Sequence, residues 1–137
     1  MDNNLALARL MAWLSPVFPT GSFAYSSGLE TAATSGLVLD ERSLKNWLDA
    51  LLSHGRLRND AIFLQQSLSL WDDRAAIGEI NDLALASVGS AELLLETTAQ
   101  GAAFFEAIQS WPEISALAKL EPVALPVTVG AACGATS

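Results

Sequence analysis

The sequence predicts an all-α protein: one domain over residues 1–137, built as a bundle of about six to seven helices joined by short loops. Three observations carry that prediction. Apolar residues recur at the 3.6-residue period along most of the chain. Sustained strand alternation, internal repeats and low-complexity tracts are missing. Residues that stop or cap helices fall between the periodic runs.

The elements follow in order. Leu7, Leu10, Met11 and Leu14 recur at i, i+3, i+4, i+7, with Asn3 or Asn4 placed to cap a first helix. Ser15-Pro16 ends it, because a residue before proline is pushed out of the α region. A second helix is expected from near Ser22 to about Ser35, with Gly36 as its C-terminal stop. Asp40 caps a third, whose Leu44, Trp47, Leu48 and Leu51 share a face and which closes at His54-Gly55. Asp60 to Trp71 repeats the pattern through Ala61, Leu64, Leu68 and Trp71, and Asp72-Asp73 reads as a turn and cap. Ala75 to Ala86 is a shorter helix. Ser90 starts a long one to about Ser110, with Gly101, Phe104, Phe105 and Ile108 on one side. Pro112 suits the first position of a short helix after Trp111. From Pro126 onward the period is ambiguous, and the β-branched residues favour a strand.

One segment stands apart. Trp13 to Glu30 reads W-L-S-P-V-F-P-T-G-S-F-A-Y-S-S-G-L-E and holds two prolines, two glycines, four aromatics and four serines. Prolines fix φ and remove donors, glycines open backbone conformations closed to other residues, and aromatics bring large apolar area with polar tips. The segment has no His, Cys or basic residue, and Glu30 is its one carboxylate. It is equipped as a shaped surface and lacks the groups of a reaction centre.

This segment, with Leu7, Leu10, Trp13 and Leu14 before it and the closing Ser27-Gly28-Leu29-Glu30, resembles the N-terminal signature of the urease accessory protein UreF family. Gln100-Gly101 and Leu125-Pro126-Val127-Thr128-Val129-Gly130 are further, weaker points of similarity in the same order. The resemblance implies an all-helical domain, so a helix after Pro126. It also implies a non-enzymatic adaptor that assembles with UreD (UreH in some systems) and the GTPase UreG on the urease apoprotein, and that regulates GTP-dependent nickel insertion. A homodimer is compatible with it. The family continues well past the Leu125–Gly130 stretch, so the domain is expected to be truncated at its C-terminus, with apolar faces left open and a tendency to associate.

Composition sets independent bounds. Hydrophobic residues make up 51% and charged residues only 16%, against about 25% charged in typical domains. That surplus suits apolar contact with a partner as well as a core of its own. The net charge of −8 argues against nucleic-acid binding, which needs a basic stripe, and against an anionic membrane surface. It suits a basic partner surface, or solubility alone. Met1-Asp2-Asn3-Asn4 lacks the positive start of a signal peptide. The uncharged run Pro122–Ser137 is 16 residues with Pro126 inside it, too short to span a bilayer. Cys133 is the single cysteine, so no intrachain disulfide forms, and a cytoplasmic protein is the simplest reading.

The inventory for chemistry is thin. His54 and Cys133 are each alone of their kind and far apart, so no His/Cys set has metal-ligand spacing; no metal or cofactor is expected. Asp72-Asp73 lacks a glycine-bearing calcium loop. A serine nucleophile needs a base, and His54 sits where a helix C-terminus favours an imidazolium. Pro19-Thr20-Gly21-Ser22 has no following lysine and is no phosphate loop. No catalytic residue is assigned.

Partner contact is therefore assigned to Phe18, Ser22, Tyr25, Ser26 and Glu30. Phe18, between two prolines, is the candidate for an exposed anchor. Phe23 and Tyr25 also fit a core role, Tyr25 lying at helical spacing with Leu29 and Ala32. Ser22, Ser26 and Ser27 also fit caps or a small-residue face. Glu30 has two readings: the end of a Ser27-x-x-Glu30 capping box, or an exposed acid facing a partner. A reading from another class is a helical small-molecule-binding or enzymatic domain with a pocket around Trp13, Phe18, Tyr25 and Glu30; a nonfunctional fragment is a third.

Overall fold

The computed structural model describes residues 3–22, 25–26, 28–119 and 124–136. The described residues form α1 (Asn3–Trp13), α2 (Leu29–Thr34), α3 (Glu41–His54), α4 (Arg56–Ser69), α5 (Arg74–Ala86), α6 (Ala91–Ile108), a 3₁₀ helix (Pro112–Lys119) and α7 (Leu125–Ala135), and no strand occurs among them. The all-α prediction holds.

The last helix is the hub. α7 packs most extensively against α4, then α6, and also meets α5 and the 3₁₀ helix. Pro126 to Ala132 and Gly134 are buried on every side of it, which is why its sequence shows no polar face. That burial overrides the strand propensity of Val127, Thr128 and Val129. The Thr128 hydroxyl donates to the Ala124 carbonyl at 3.0 Å, so it enters the core satisfied. Ala124 offers no side-chain cap to α7. Neighbouring helices supply one: Asn81 Oδ1 of α5 accepts the Ala124 N–H at 3.0 Å, and Thr97 Oγ1 of α6 accepts the Leu125 N–H at 3.2 Å. Pro126 has no N–H to satisfy.

Close approach of α4 and α7 depends on two glycines one turn apart. A Cβ on Gly130 would lie 2.3 Å from the Leu64 carbonyl oxygen, and one on Gly134 would lie 2.5 Å from that of Leu68. Opposite Gly130, Ser67 is fully buried. Small residues on both sides let the two backbones approach.

Three of the caps read from the sequence are formed, at Asp40, Asp73 and Ser90, whereas Asn3 and Asn4, expected to cap the first helix, lie inside α1. Asp40 accepts the Ser43 N–H at 2.8 Å while the Ser43 hydroxyl accepts the Asp40 N–H at 2.9 Å, a reciprocal box. Asp73 accepts from the N–H groups of Ala75 and Ala76, and Ser90 from that of Leu93. α2 closes as expected near Gly36, where the Gly36 and Leu37 N–H groups donate to Ala33 and Ala32.

Three expectations need correction. α2 begins at Leu29 instead of near Ser22, so Tyr25 precedes the helix. α4 begins at Arg56 instead of Asp60, because Gly55 both ends α3 and starts α4. In α1 the stripe Leu7, Leu10, Met11, Leu14 lies exposed, while Trp13 and Arg9 turn inward. Arg9 can do so because its guanidinium pairs with Glu113 of the 3₁₀ helix at 3.0 Å. The open stripe borders an apolar groove with Leu64 and Leu68 of α4 and Cys133 of α7.

Candidate partner-binding site

The segment after α1 folds as consecutive turns. The Phe18 N–H donates to the Ser15 carbonyl at 3.0 Å, that of Thr20 to Phe18 at 2.7 Å, and that of Tyr25 to Ser22 at 3.1 Å. Pro16 and Pro19 fit such a path, since neither has an N–H to leave unpaired. The segment is held by aromatics. Trp13 meets Phe104 and Trp111 edge-on, with centroids 5.7 and 5.9 Å apart. Phe18 tilts onto the same two rings at 5.4 and 6.4 Å. Phe18 is thus half-buried and packs on the core as a pedestal, not as the exposed anchor its place between prolines suggested.

Ser22, Tyr25, Ser26 and Glu30 are all exposed. Gly28 is the N-cap of α2, with φ 83°, a left-handed backbone that favours glycine. Among the described residues no side chain caps this helix start, and Glu30 stands in its first turn as an exposed acid. The capping-box reading of Glu30 involves Ser27, which lies outside the described residues, as does Phe23.

Two clefts flank Tyr25. One, of about 490 Å³, runs between the turn segment and α6, lined by Trp13, Pro16, Thr20, Ser22, Tyr25 and Gln100. The other, of about 510 Å³, opens between Tyr25, Ser26, α4 and α6, and holds Arg56, Asp60, Glu96 and Gln100. Tyr25, Gln100 and Leu125 belong to both. Of the four residues in the alternative pocket reading, Trp13 and Tyr25 share the first cleft, whereas Phe18 and Glu30 do not line it.

Arg56, Asp60 and Glu96 escaped the sequence reading. The Arg56–Asp60 spacing of four on a helix was a visible signal; the approach of Glu96 from α6 was not. Arg56 reaches Asp60 and Glu96 at 3.3 Å each. Burial pushes the Asp60 carboxyl above the usual carboxylate range, against the pull of Arg56. Burial likewise raises the Cys133 thiol, which suits a core residue more than a nucleophile. Among the described residues no group of three or more His, Cys, Asp or Glu side chains is placed to hold a metal ion, and no helix is long and apolar enough to cross a membrane.

The sequence model of the UreF family matches residues 38–137. The chain belongs to the UreF family. Similar relatives extend the match through the turn segment. A urease accessory protein UreF of Allorhizobium ampelinum is 46% identical over 136 residues, covering 94% of this chain and 59% of the relative. The corresponding figures for UreF 1 of Brucella abortus are 48% over 134 residues, 97% and 58%. UreF of Methylobacterium radiotolerans is 49% identical over 139 residues, covering 96% of this chain and 60% of the relative. The chain thus spans somewhat under two thirds of the length of these UreF relatives. No solved structure matches it. UreF proteins are accessory proteins, not enzymes.

Proposed function

We propose that this chain is a helical adaptor in urease assembly, joining UreD (or UreH) and the GTPase UreG to the urease apoprotein and regulating GTP-dependent nickel insertion. Nickel in this reading is cargo of the assembly. The observation that carries the proposal is that Ser22, Tyr25, Ser26 and Glu30 are each exposed, the first three on a turn segment whose Trp13 and Phe18 pack on the core and Glu30 in the first turn of the helix that follows. Exposed polar and aromatic groups on a segment whose aromatic base is packed lose less freedom on docking than groups on an unanchored loop. The net charge of −8 suits basic partner patches and fast encounter. A homodimer and a cytoplasmic setting belong to the same reading. Co-expression of the tagged chain with the UreD, UreG and urease apoprotein of one urease operon tests it. Recovery of at least one of them in a stoichiometric complex is the expected result; recovery of none, from a chain that is folded by circular dichroism, overturns it.

A further inference from the structure

We propose that the cleft between Tyr25, Ser26, α4 and α6 receives an arginine side chain from a partner protein, its guanidinium held by Glu96 and Gln100 with Tyr25 at the rim. Three observations lead there. First, Gln100 is only 5% exposed, lines the cleft, and its side chain has no hydrogen-bond partner among the described residues. The amide is not sealed in the core but is reached from the cleft, so a donor entering there can meet its carbonyl oxygen.

Second, the acids of the cleft are under-served. Arg56 is shared between Asp60 and Glu96, and both contacts are 3.3 Å, longer than the ~2.8 Å of a well-formed charge-assisted bond. One cation for two carboxylates leaves a net negative site with spare acceptor capacity, although Glu96 is 8% exposed.

Third, the space and chemistry fit a guanidinium. The cleft measures about 510 Å³, and Tyr25, which lines it, is 38% exposed. A planar cation there can offer several N–H donors at once to a carboxylate and an amide oxygen, while its face stacks on the phenol ring. A lysine ammonium has three donors and no plane to stack.

This inference rests on the adaptor reading only for the source of the arginine. The test uses the full chain, isotopically labelled, titrated with N-acetyl-L-arginine amide while the Gln100 side-chain NH₂ resonances and the backbone amides of Tyr25 and Glu96 are followed, the backbone amides serving as the readout in the variants. Parallel titrations use the lysine amide and the neutral citrulline amide. The expected result is saturable shifts with the arginine probe alone, with a dissociation constant on the order of 1 mM. Glu96→Gln and Gln100→Met should each weaken binding at least tenfold. Gln100→Met keeps both ion pairs of Arg56, so it decides the matter if Glu96→Gln fails to fold. Equal shifts with lysine or citrulline, no saturation, or unchanged binding in Gln100→Met overturn the proposal. If the probe binds and no urease protein co-purifies, only the adaptor reading falls; if complexes form and the probe does not bind, only this one does.

Discussion

Replacing Gly130 by alanine should destabilise the fold, although alanine is the better helix former. In an open helix the exchange is favourable by about 1 kcal/mol. At Gly130 the new methyl would lie 2.3 Å from the Leu64 carbonyl oxygen, 2.9 Å from the Ser67 Cβ and 3.0 Å from the Leu64 carbonyl carbon. Two of these atoms are backbone, so no rotamer change relieves the clash. α4 and α7 must separate by roughly 1 Å, and a gap of that size forfeits a quarter to a half of each contact along the seam. Overpacking of this kind costs about 1–3 kcal/mol in ordinary cores, and the α4–α7 seam is the largest in the molecule. We expect a net loss of about 2 kcal/mol. With an unfolding entropy near 2.1 cal/mol/K per residue, a chain of 137 residues shifts its Tm by about 3.5 °C per kcal/mol, so the expected fall is about 7 °C. Gly78→Ala is the internal control. Gly78 lies inside α5 with nothing within 4 Å of the place a Cβ would take, and the Tm of this variant should rise by about 3 °C. Thermal unfolding followed by circular dichroism reads both. A Gly130→Ala chain as stable as the Gly78→Ala chain would refute the packing argument.

Other expectations follow from the same geometry. Phe18→Ala should lower stability by about 1–3 kcal/mol in urea unfolding, since Phe18 packs on Phe104 and Trp111; an unchanged midpoint would return it to the role of an exposed anchor. Asp60 has a raised carboxyl pKa in the fold, so its contribution is fully present below the unfolded value of 3.8 and is lost as pH rises through the folded value. Asp60→Asn should therefore match the parent in acid and equal or exceed it in Tm at pH 7; a deficit at pH 7 that closes in acid would contradict the sign. The exposed Leu7, Met11 and Leu14 of α1 should make the chain associate in light scattering, and Met11→Glu with Leu14→Glu should suppress it; a dilution-stable monomer of the parent would count against this.

What the sequence could show was local. The caps at Asp40, Asp73 and Ser90 are decided within three residues, and each forms as read. The helical period of α1 was legible, yet the side that faces inward was not. Arg9 is buried by a partner 104 residues away, and nothing near Arg9 signals it. α2 was extended backward because Tyr25, Leu29 and Ala32 share helical spacing; the left-handed Gly28 starts the helix later. At α7, β-branched residues pointed one way and the buried setting another, and only the UreF resemblance favoured the helix. The candidate site divides likewise. Its exposed residues, Ser22, Tyr25, Ser26 and Glu30, lie in a segment marked by composition alone. The pedestal beneath Phe18 and the convergence of Arg56, Asp60, Glu96 and Gln100 depend on α6 lying alongside, which no local pattern encodes.

The central claim is that the turn segment and the start of α2 form a docking surface on a fold that does not need its exposed side chains. Tyr25→Ala with Glu30→Ala, measured for both Tm and recovery of the urease accessory complex, tests it most directly. We expect a Tm change worth no more than about 1 kcal/mol, since both side chains are exposed, together with a clear loss of complex recovery. Full recovery of the complex, or a collapse in Tm that explains its loss, would contradict the claim.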